Sequence, residues 1–359
     1  MKNRDSNIEL LRLVCMFLIV FQHCIHMCAF PEIWDTSVMS PEIGVASVLL
    51  GLTYIGVNCF VLISGYYGIK LKLRSVLNIY LICVFYALMG YLLHIYIDDA
   101  NIDRGILYHS IFCISHSYLW FVKCYIGLML LSPLLNVAIE HMPRKTYQWV
   151  LFLLTVLNVY FGFLWEDSVF NADGYTIANF VFIYLIGGYI ARYVDLEWYR
   201  KHKALNFGIY LLTSLLWAGS IIMQRYTRTP WDEWGYNNPF TLIGAISFFM
   251  LFLSIPRFHN KWINWLATGT FAVYVAHQGD FYKGWFVKYV GQLAGYTHST
   301  YGIIMTILCM LAVSMSLLLV ISVFDKFRAY AMQPLIDRMC SLSTHTHTHT
   351  HTHTSGATK

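Results

Sequence analysis

Residues 301–324 read YGIIMTILCMLAVSMSLLLVISVF, and no Asp, Glu, Lys or Arg interrupts them. A helix needs about 20 apolar residues to cross a hydrocarbon core roughly 30 Å thick, so this stretch alone predicts a membrane span. Working outward, runs of similar character occur at 8–30, 45–69, 76–97, 118–138, 148–166, 177–194, 205–224, 239–256 and 266–287. Their length predicts helices, because the strands of a membrane barrel alternate over about ten residues. The expected fold is all-α, a polytopic membrane helix bundle of about ten transmembrane helices. Residues 106–117 (ILYHSIFCISHS) read as a loop or as an interfacial helix.

The composition agrees. Of 359 residues, 58% are hydrophobic and 12% charged, against about 25% charged in an ordinary soluble domain. Two or three soluble domains of this length would lack the charges to cover their surfaces. Intrinsic disorder, a collagen-like fibre and a disulfide-stapled secreted module are excluded by the same numbers. The formal charge of +5 gives no reason to expect nucleic-acid binding, because the basic residues sit in short clusters between apolar runs. The nine Cys form no CxxC pair and lie mostly in apolar runs, where thiols behave as small hydrophobes. No functional metal site is expected, even where Cys24 and Cys28 flank His26.

Positive charge orients the spans. With the N-terminus inside, the inner clusters are Lys2 and Arg4; Lys70, Lys72 and Arg74; Arg144 and Lys145; Arg192, Arg200, Lys201 and Lys203; Arg257 and Lys261; Lys326, Arg328 and Arg338. The outer set is Arg104, Arg225, Arg228, Lys283 and Lys288. Sixteen cations against five place both termini in the cytoplasm of a multi-pass protein of the cell (inner or plasma) membrane. No cleaved secretory signal is expected, since Glu9 and Arg12 interrupt the first apolar segment. Residues 1–338 form the transmembrane domain. Residues 339–359 contain a His/Thr alternation from Thr344 to Thr354, which cannot bury a core and is expected to be a disordered tail.

Ionisable and imidazole groups inside a bilayer are costly and tend to mark function. The first span, NIELLRLVCMFLIVFQHCIHM over 7–27, carries Glu9, Arg12, His23 and His26. At 100° per residue the eleven steps from Arg12 to His23 leave a net rotation of about 20°, so both share one helix face, about 16 Å apart along the axis. His26 follows three residues later on nearly the same stripe. Arg12 lies near enough to the cytoplasm to snorkel, which accounts for it without any function. A single His near a helix end is equally compatible with packing. In FVLISGYYGIKLKLR (60–74), Ser64 and Gly65 permit close helix approach, and Lys70, Lys72 and Arg74 follow. In YLWFVKCYIGLMLLSPLLN (118–136), Lys123 lies just inside the outer boundary, where snorkelling is again an alternative. In TGTFAVYVAHQGDF (268–281), His277 falls near mid-bilayer and must face a polar cavity or a partner.

These segments resemble the acyltransferase family 3 membrane proteins, a group that includes bacterial O-acyltransferases of surface polysaccharides. The resemblance covers residues 7–325. It rests on the Ile-Glu-Leu-Leu-Arg opening with ten residues between Arg12 and His23, then Phe60 to Tyr66, Leu119 to Pro133, and Tyr274 to His277, in that order. Here the basic stretch is Lys-Leu-Lys-Leu-Arg rather than two arginines three apart, leaving open which of Lys70, Lys72 and Arg74 acts. Some members carry an extracellular hydrolase-like domain that does not follow these segments here, and the chain is expected to act alone, as a homo-oligomer or with a separate extracytoplasmic partner.

The resemblance implies transfer of an acyl group, usually acetyl, from cytoplasmic acyl-CoA to a sugar hydroxyl, an O-acetylation of exported or cell-surface polysaccharide. The donor is a substrate, and no tightly bound cofactor is expected. The acceptor is a carbohydrate or lipid-linked glycan. An imidazole suits such chemistry at neutral pH, and His23 is the candidate, either as general base or as transient acyl carrier. With it, Arg12 and His277 complete the candidate catalytic set. Arg12, Lys70, Lys72 and Arg74 are the candidate donor-binding cations, and Lys123, Ser64 and Trp120 the candidate substrate contacts. Trp165, Trp231, Trp234, Tyr175 and Tyr236 lie in outer loops with Asp167, Asp173, Asp232 and Glu233, a set that fits either sugar stacking or an interfacial belt. The alternative is a polytopic transporter or flippase for a glycan or small molecule, but transporters often show repeated halves and none is visible here.

Overall fold

A computed structural model describes residues 4–116, 119–166, 169, 173–227 and 234–350, with backbone only for His116 and 341–350. Every regular element among the described residues is helical. In order they are α1 (Ser6–His23), α2 (Pro41–Thr53), α3 (Gly56–Tyr67), α4 (Leu73–Ile97), α5 (Arg104–Ile111), α6 (Cys113–His116), α7 (Trp120–His141) and α8 (Arg144–Thr155). Then come α9 (Ile177–Tyr193), α10 (Leu196–Lys201), α11 (Lys203–Thr227), α12 (Pro239–Leu253), α13 (Lys261–Ala267), α14 (Thr270–Gln278), α15 (Asp280–Trp285) and α16 (Gly291–Thr350). Wider π-helical turns extend three of them, at Cys24–Ala29, Val156–Leu164 and Phe286–Val290.

Among the described residues, seven helical stretches are long and apolar enough to cross a membrane: Ser6–Ala29, Pro41–Tyr67, Leu73–Ile97, Trp120–His141, Arg144–Leu164, Lys203–Thr227 and Asp280–Cys340. Ile177–Tyr193 and Pro239–Leu253 are apolar but shorter. The expected count of ten is therefore not reached as ten separate long helices. The run 266–287 is broken at Gly279, whose φ of −62° and ψ of 152° are extended, so α14 is only nine residues long, about 13 Å. The run 301–324 joins the helix before it into one stretch, interrupted near its start at Gly302 by a φ of 78°, a left-handed value that glycine adopts without steric cost. The segment 106–117 is helical rather than a loop over its described residues, in α5 and α6. Asp103 meets the Tyr91 hydroxyl and the Ile111 carbonyl accepts from that of Tyr80, so α5 runs back along α4 toward the middle of the bundle. At the chain end, α16 carries 339–350 of the expected tail in helical form, and 351–359 lie outside the described residues.

The first span occupies the centre. Leu11, Cys15, Val20 and Ile25 are fully buried, because α1 is enclosed by α2, α3, α12, α13, α14 and α16. Its polar side chains therefore face protein rather than lipid. The N-terminal end is pinned by Ser6, whose Oγ donates to Asn264 Oδ1 at 2.7 Å and accepts from the Asn260 N–H at 2.7 Å. Lys326 of α16 meets Thr268, next to α13, and Arg74 pairs with Asp337 at 2.8 Å. The start of α1, the start of α4 and the end of α16 thus lie at one end of the bundle. Gly65 serves the close approach expected of it: a Cβ there would lie 2.1 Å from the Tyr184 carbonyl oxygen of α9. The perimeter is apolar instead, with Leu134, Trp149, Leu212, Ile304, Val320 and Phe327 exposed, as a lipid-facing belt requires.

Candidate active site

Arg12 and His23 both belong to α1, which is continuous from Ser6 to His23, so their axial separation is the helical one of about 16 Å. Arg12 opens on two adjoining inner cavities of about 360 Å³ and 200 Å³. These share Arg12, Ser64, Asn78, Ile79 and Tyr125. Lys70 stands at the first, while Phe60, Phe121, Phe271 and Tyr274 make the second mainly apolar. Glu9 lies 3.9 Å from the Arg12 Nε and 3.8 Å from Arg4. The Nε itself makes no hydrogen bond although it is buried. A guanidinium in that state suits an anionic group entering from the inner side.

His23 closes α1, and the π-helical turn that follows widens the helix and brings His26 alongside, with ring centroids 5.3 Å apart. Such π-turns concentrate at functional sites. The His23 Nδ1 lies 3.0 Å from the Nε2 of His277, and the His277 Nδ1 lies 2.6 Å from the Val273 carbonyl. A carbonyl only accepts, so His277 donates from Nδ1 and its Nε2 is left as an acceptor. His23 must then donate from Nδ1. Its Nε2 consequently carries the lone pair, the tautomer a general base needs. The second imidazole holds the first by one directed bond.

His23 also lines an outer cavity of about 190 Å³, with Trp120, Tyr175, Trp234 and Tyr236. The wall between this cavity and the apolar inner one is thin. Ile19 and Tyr274 line the inner side, His23 and Gln278 the outer, and the consecutive Phe121 and Trp120 are divided in the same way. Four residues of helix rise only about 6 Å. The Phe121 and Tyr274 rings, 5.5 Å apart, fill the junction.

The remaining sequence candidates divide. Ser64 lines both inner cavities, and its hydroxyl lies 3.3 Å from that of Tyr125. Trp120 lines the outer cavity, 4.5 Å from Tyr175. Of the three clustered cations, Lys70 lines one of these cavities, and Lys72 and Arg74 line none of the three. Arg74 is engaged with Asp337, and Lys72 is exposed at the start of α4. Lys123 is exposed on α7 and lines none of these three cavities. Among the outer-loop residues, Trp165 is 68% exposed and stands apart, and Asp173 is exposed. Asp167, Trp231, Asp232 and Glu233 lie outside the described residues.

Sequence reasoning missed Trp34, Tyr54, Gln22, Gln278 and Lys283, all lining the outer cavity. Only their proximity in space reveals them. It also counted Arg225 as an outer-loop cation, whereas this side chain is buried. Its Nε donates to the Val38 carbonyl and its Nη1 to that of Ile221, each at 3.1 Å, and Nη2 donates to that of Ile33.

A family model described as an acyltransferase domain matches residues 5–323 of the chain, a stretch that contains every one of these site residues. No curated protein and no solved structure matches it.

Proposed function

The chain belongs to acyltransferase family 3, and on that premise we propose that this multi-pass membrane acyltransferase moves an acyl group, usually acetyl, from cytoplasmic acyl-CoA to a hydroxyl of a cell-surface or exported glycan. The observation that carries this reading is the position of His23, at a thin wall between an inner cavity with Arg12 and an outer aromatic one. A donor from one side and an acceptor from the other meet there.

Arg12, whose buried Nε faces Glu9 without a hydrogen bond, and Lys70 suit the phosphates of a CoA donor. The apolar cavity beyond suits its pantetheine arm, and the roughly 16 Å from Arg12 to His23 is close to the reach of that arm when extended. Because His23 lines the outer cavity and not the apolar inner one, the base role is favoured over that of acyl carrier. The acceptor hydroxyl gives its proton to His23 Nε2 while its oxygen attacks the thioester carbonyl carbon. The tetrahedral intermediate collapses, the C–S bond breaks, and the sulfur leaves with the proton returned from His23. The products are a glycan ester and a free thiol. His277 is a positioning residue, since it touches His23 and stabilises the imidazolium by accepting from Nδ1. The cell (inner or plasma) membrane is the expected location, because a cytoplasmic donor and an exported acceptor meet only across that bilayer.

The test is mass analysis of surface glycan from a deletion strain, with purified protein assayed on labelled acetyl-CoA in parallel. Acetyl mass should be lost on deletion, restored by the wild type and not by His23→Ala. Full restoration by His23→Ala, with equal protein in the membrane, refutes the assignment.

A further inference from the structure

The outer cavity carries more specific chemistry than a mere opening to solvent requires. Trp34 and Trp234 stack at 4.4 Å with 28° between their planes. His26 sits edge-on to Trp34 at 5.2 Å and lies 6.2 Å from Trp234. The Trp34 Nε1 donates to the His26 carbonyl at 3.1 Å, which ties the indole to the π-turn after His23. The loop that bears Trp34 is clamped by the buried Arg225 through the carbonyls of Ile33 and Val38. This aromatic wall is therefore pre-organised. An interfacial belt would need no such clamp.

Two polar atoms on the lining are left without partners. His26 is 4% exposed, yet its Nδ1 makes no hydrogen bond, and neither does the buried Nε2 of Gln278. Unpaired buried polar groups are rare because each carries a desolvation cost. They line the same cavity as His23, one residue after His277 in one case and three after His23 in the other. The cavity, about 190 Å³, is smaller than the roughly 300–1,000 Å³ of pockets that enclose drug-sized ligands. It has room for one ring.

We propose that this cavity is the acceptor subsite and admits a single sugar ring at a time, packed against the Trp34–Trp234 pair. His26 and Gln278 then hold the hydroxyls beside the one presented to His23. A pyranose has the matching chemistry, since one face is rich in C–H groups and packs on indole, while its rim offers donors and acceptors in several directions. This inference rests on the acyl-transfer reading above and adds which residues choose the acceptor.

The experiment uses purified full-length protein, labelled acetyl-CoA as donor for turnover, CoA as probe of donor-site affinity, and glycan extracted from a deletion strain as acceptor. His26→Gln and Trp34→Ala should each raise the KM for that glycan at least tenfold. Calorimetric affinity for CoA should stay within twofold, and Trp34→Phe should recover most of the acceptor affinity. An unchanged acceptor KM in both variants overturns the subsite. So does a parallel loss of CoA affinity, which would mean collapse of the bundle. A wild type that binds CoA but leaves the glycan unacylated refutes the acyl-transfer reading instead, and the subsite falls with it.

Discussion

The inner and outer cavities are built from different materials, although both hang on α1. The inner pair combines two cations at the entrance with an apolar interior of Phe60, Phe121 and Phe271. The outer one has Trp, Tyr and imidazole groups, and its single lining cation among the described residues is Lys283. Charge at an entrance selects by sign and acts at a distance, whereas rings and unpaired hydrogen-bonding atoms select by shape at contact. The difference fits the proposed division, a phosphorylated carrier at one end and a polyhydroxylated partner at the other. It also says that substitutions on the two sides should separate kinetically.

The largest effect should fall at the junction. His277→Ala removes the acceptor that fixes the His23 tautomer, so kcat should drop about 100-fold, within the usual range for impaired general base catalysis. Both KM values should change by less than threefold. His277→Gln keeps an oxygen able to accept from His23 and should recover part of the loss. Steady-state kinetics with both substrates varied would check this, and a change in KM alone would break the division. The rate should also fall as the medium is acidified, because protonation of His23 removes the lone pair on which attack depends.

Arg12→Ala comes next. A charged hydrogen bond to phosphate contributes about 1.5–3 kcal/mol, so the donor KM should rise roughly 10- to 100-fold while the acceptor KM stays put. If the acceptor KM moved instead, the two ends would have been assigned the wrong way round. The smallest effect belongs to Lys70. Being exposed, its charge is screened, and Lys70→Ala should raise the donor KM about threefold at low salt and less at high salt. Arg74→Ala, Lys72→Ala and Lys123→Ala should leave both KM values within twofold. Donor titrations across ionic strength would rank them.

Much of this arrangement could be read before the fold was known, for a physical reason. Lipid imposes one strict demand, that apolar runs be long, and 301–324 meets it without ambiguity. The same rule made Arg12, His23 and His277 conspicuous, and the latter two do meet, across 254 residues of chain. Other features gave no such signal. Apolar content does not encode depth, so the return of α5 along α4 and the break of the ninth run at Gly279 were invisible. Trp34, Tyr54 and Trp234 come from three separate segments and look singly like interfacial aromatics. Arg225 was counted by its charge, although its fate was decided by the backbone carbonyls around it.

The thin wall at His23 has an electrical consequence. A membrane potential falls where the medium is least polarisable, and two cavities that enter from opposite sides and nearly touch would concentrate it across the few side chains between them. One elementary charge crossing 100 mV corresponds to about 2.3 kcal/mol. Phe121, Tyr274 and the paired imidazoles would then act as an insulator for the whole cell, a few ångströms thick. The proposed passage of an acyl group through this partition requires that protons not follow, and the ring contact of Phe121 with Tyr274 is placed where such a leak would start.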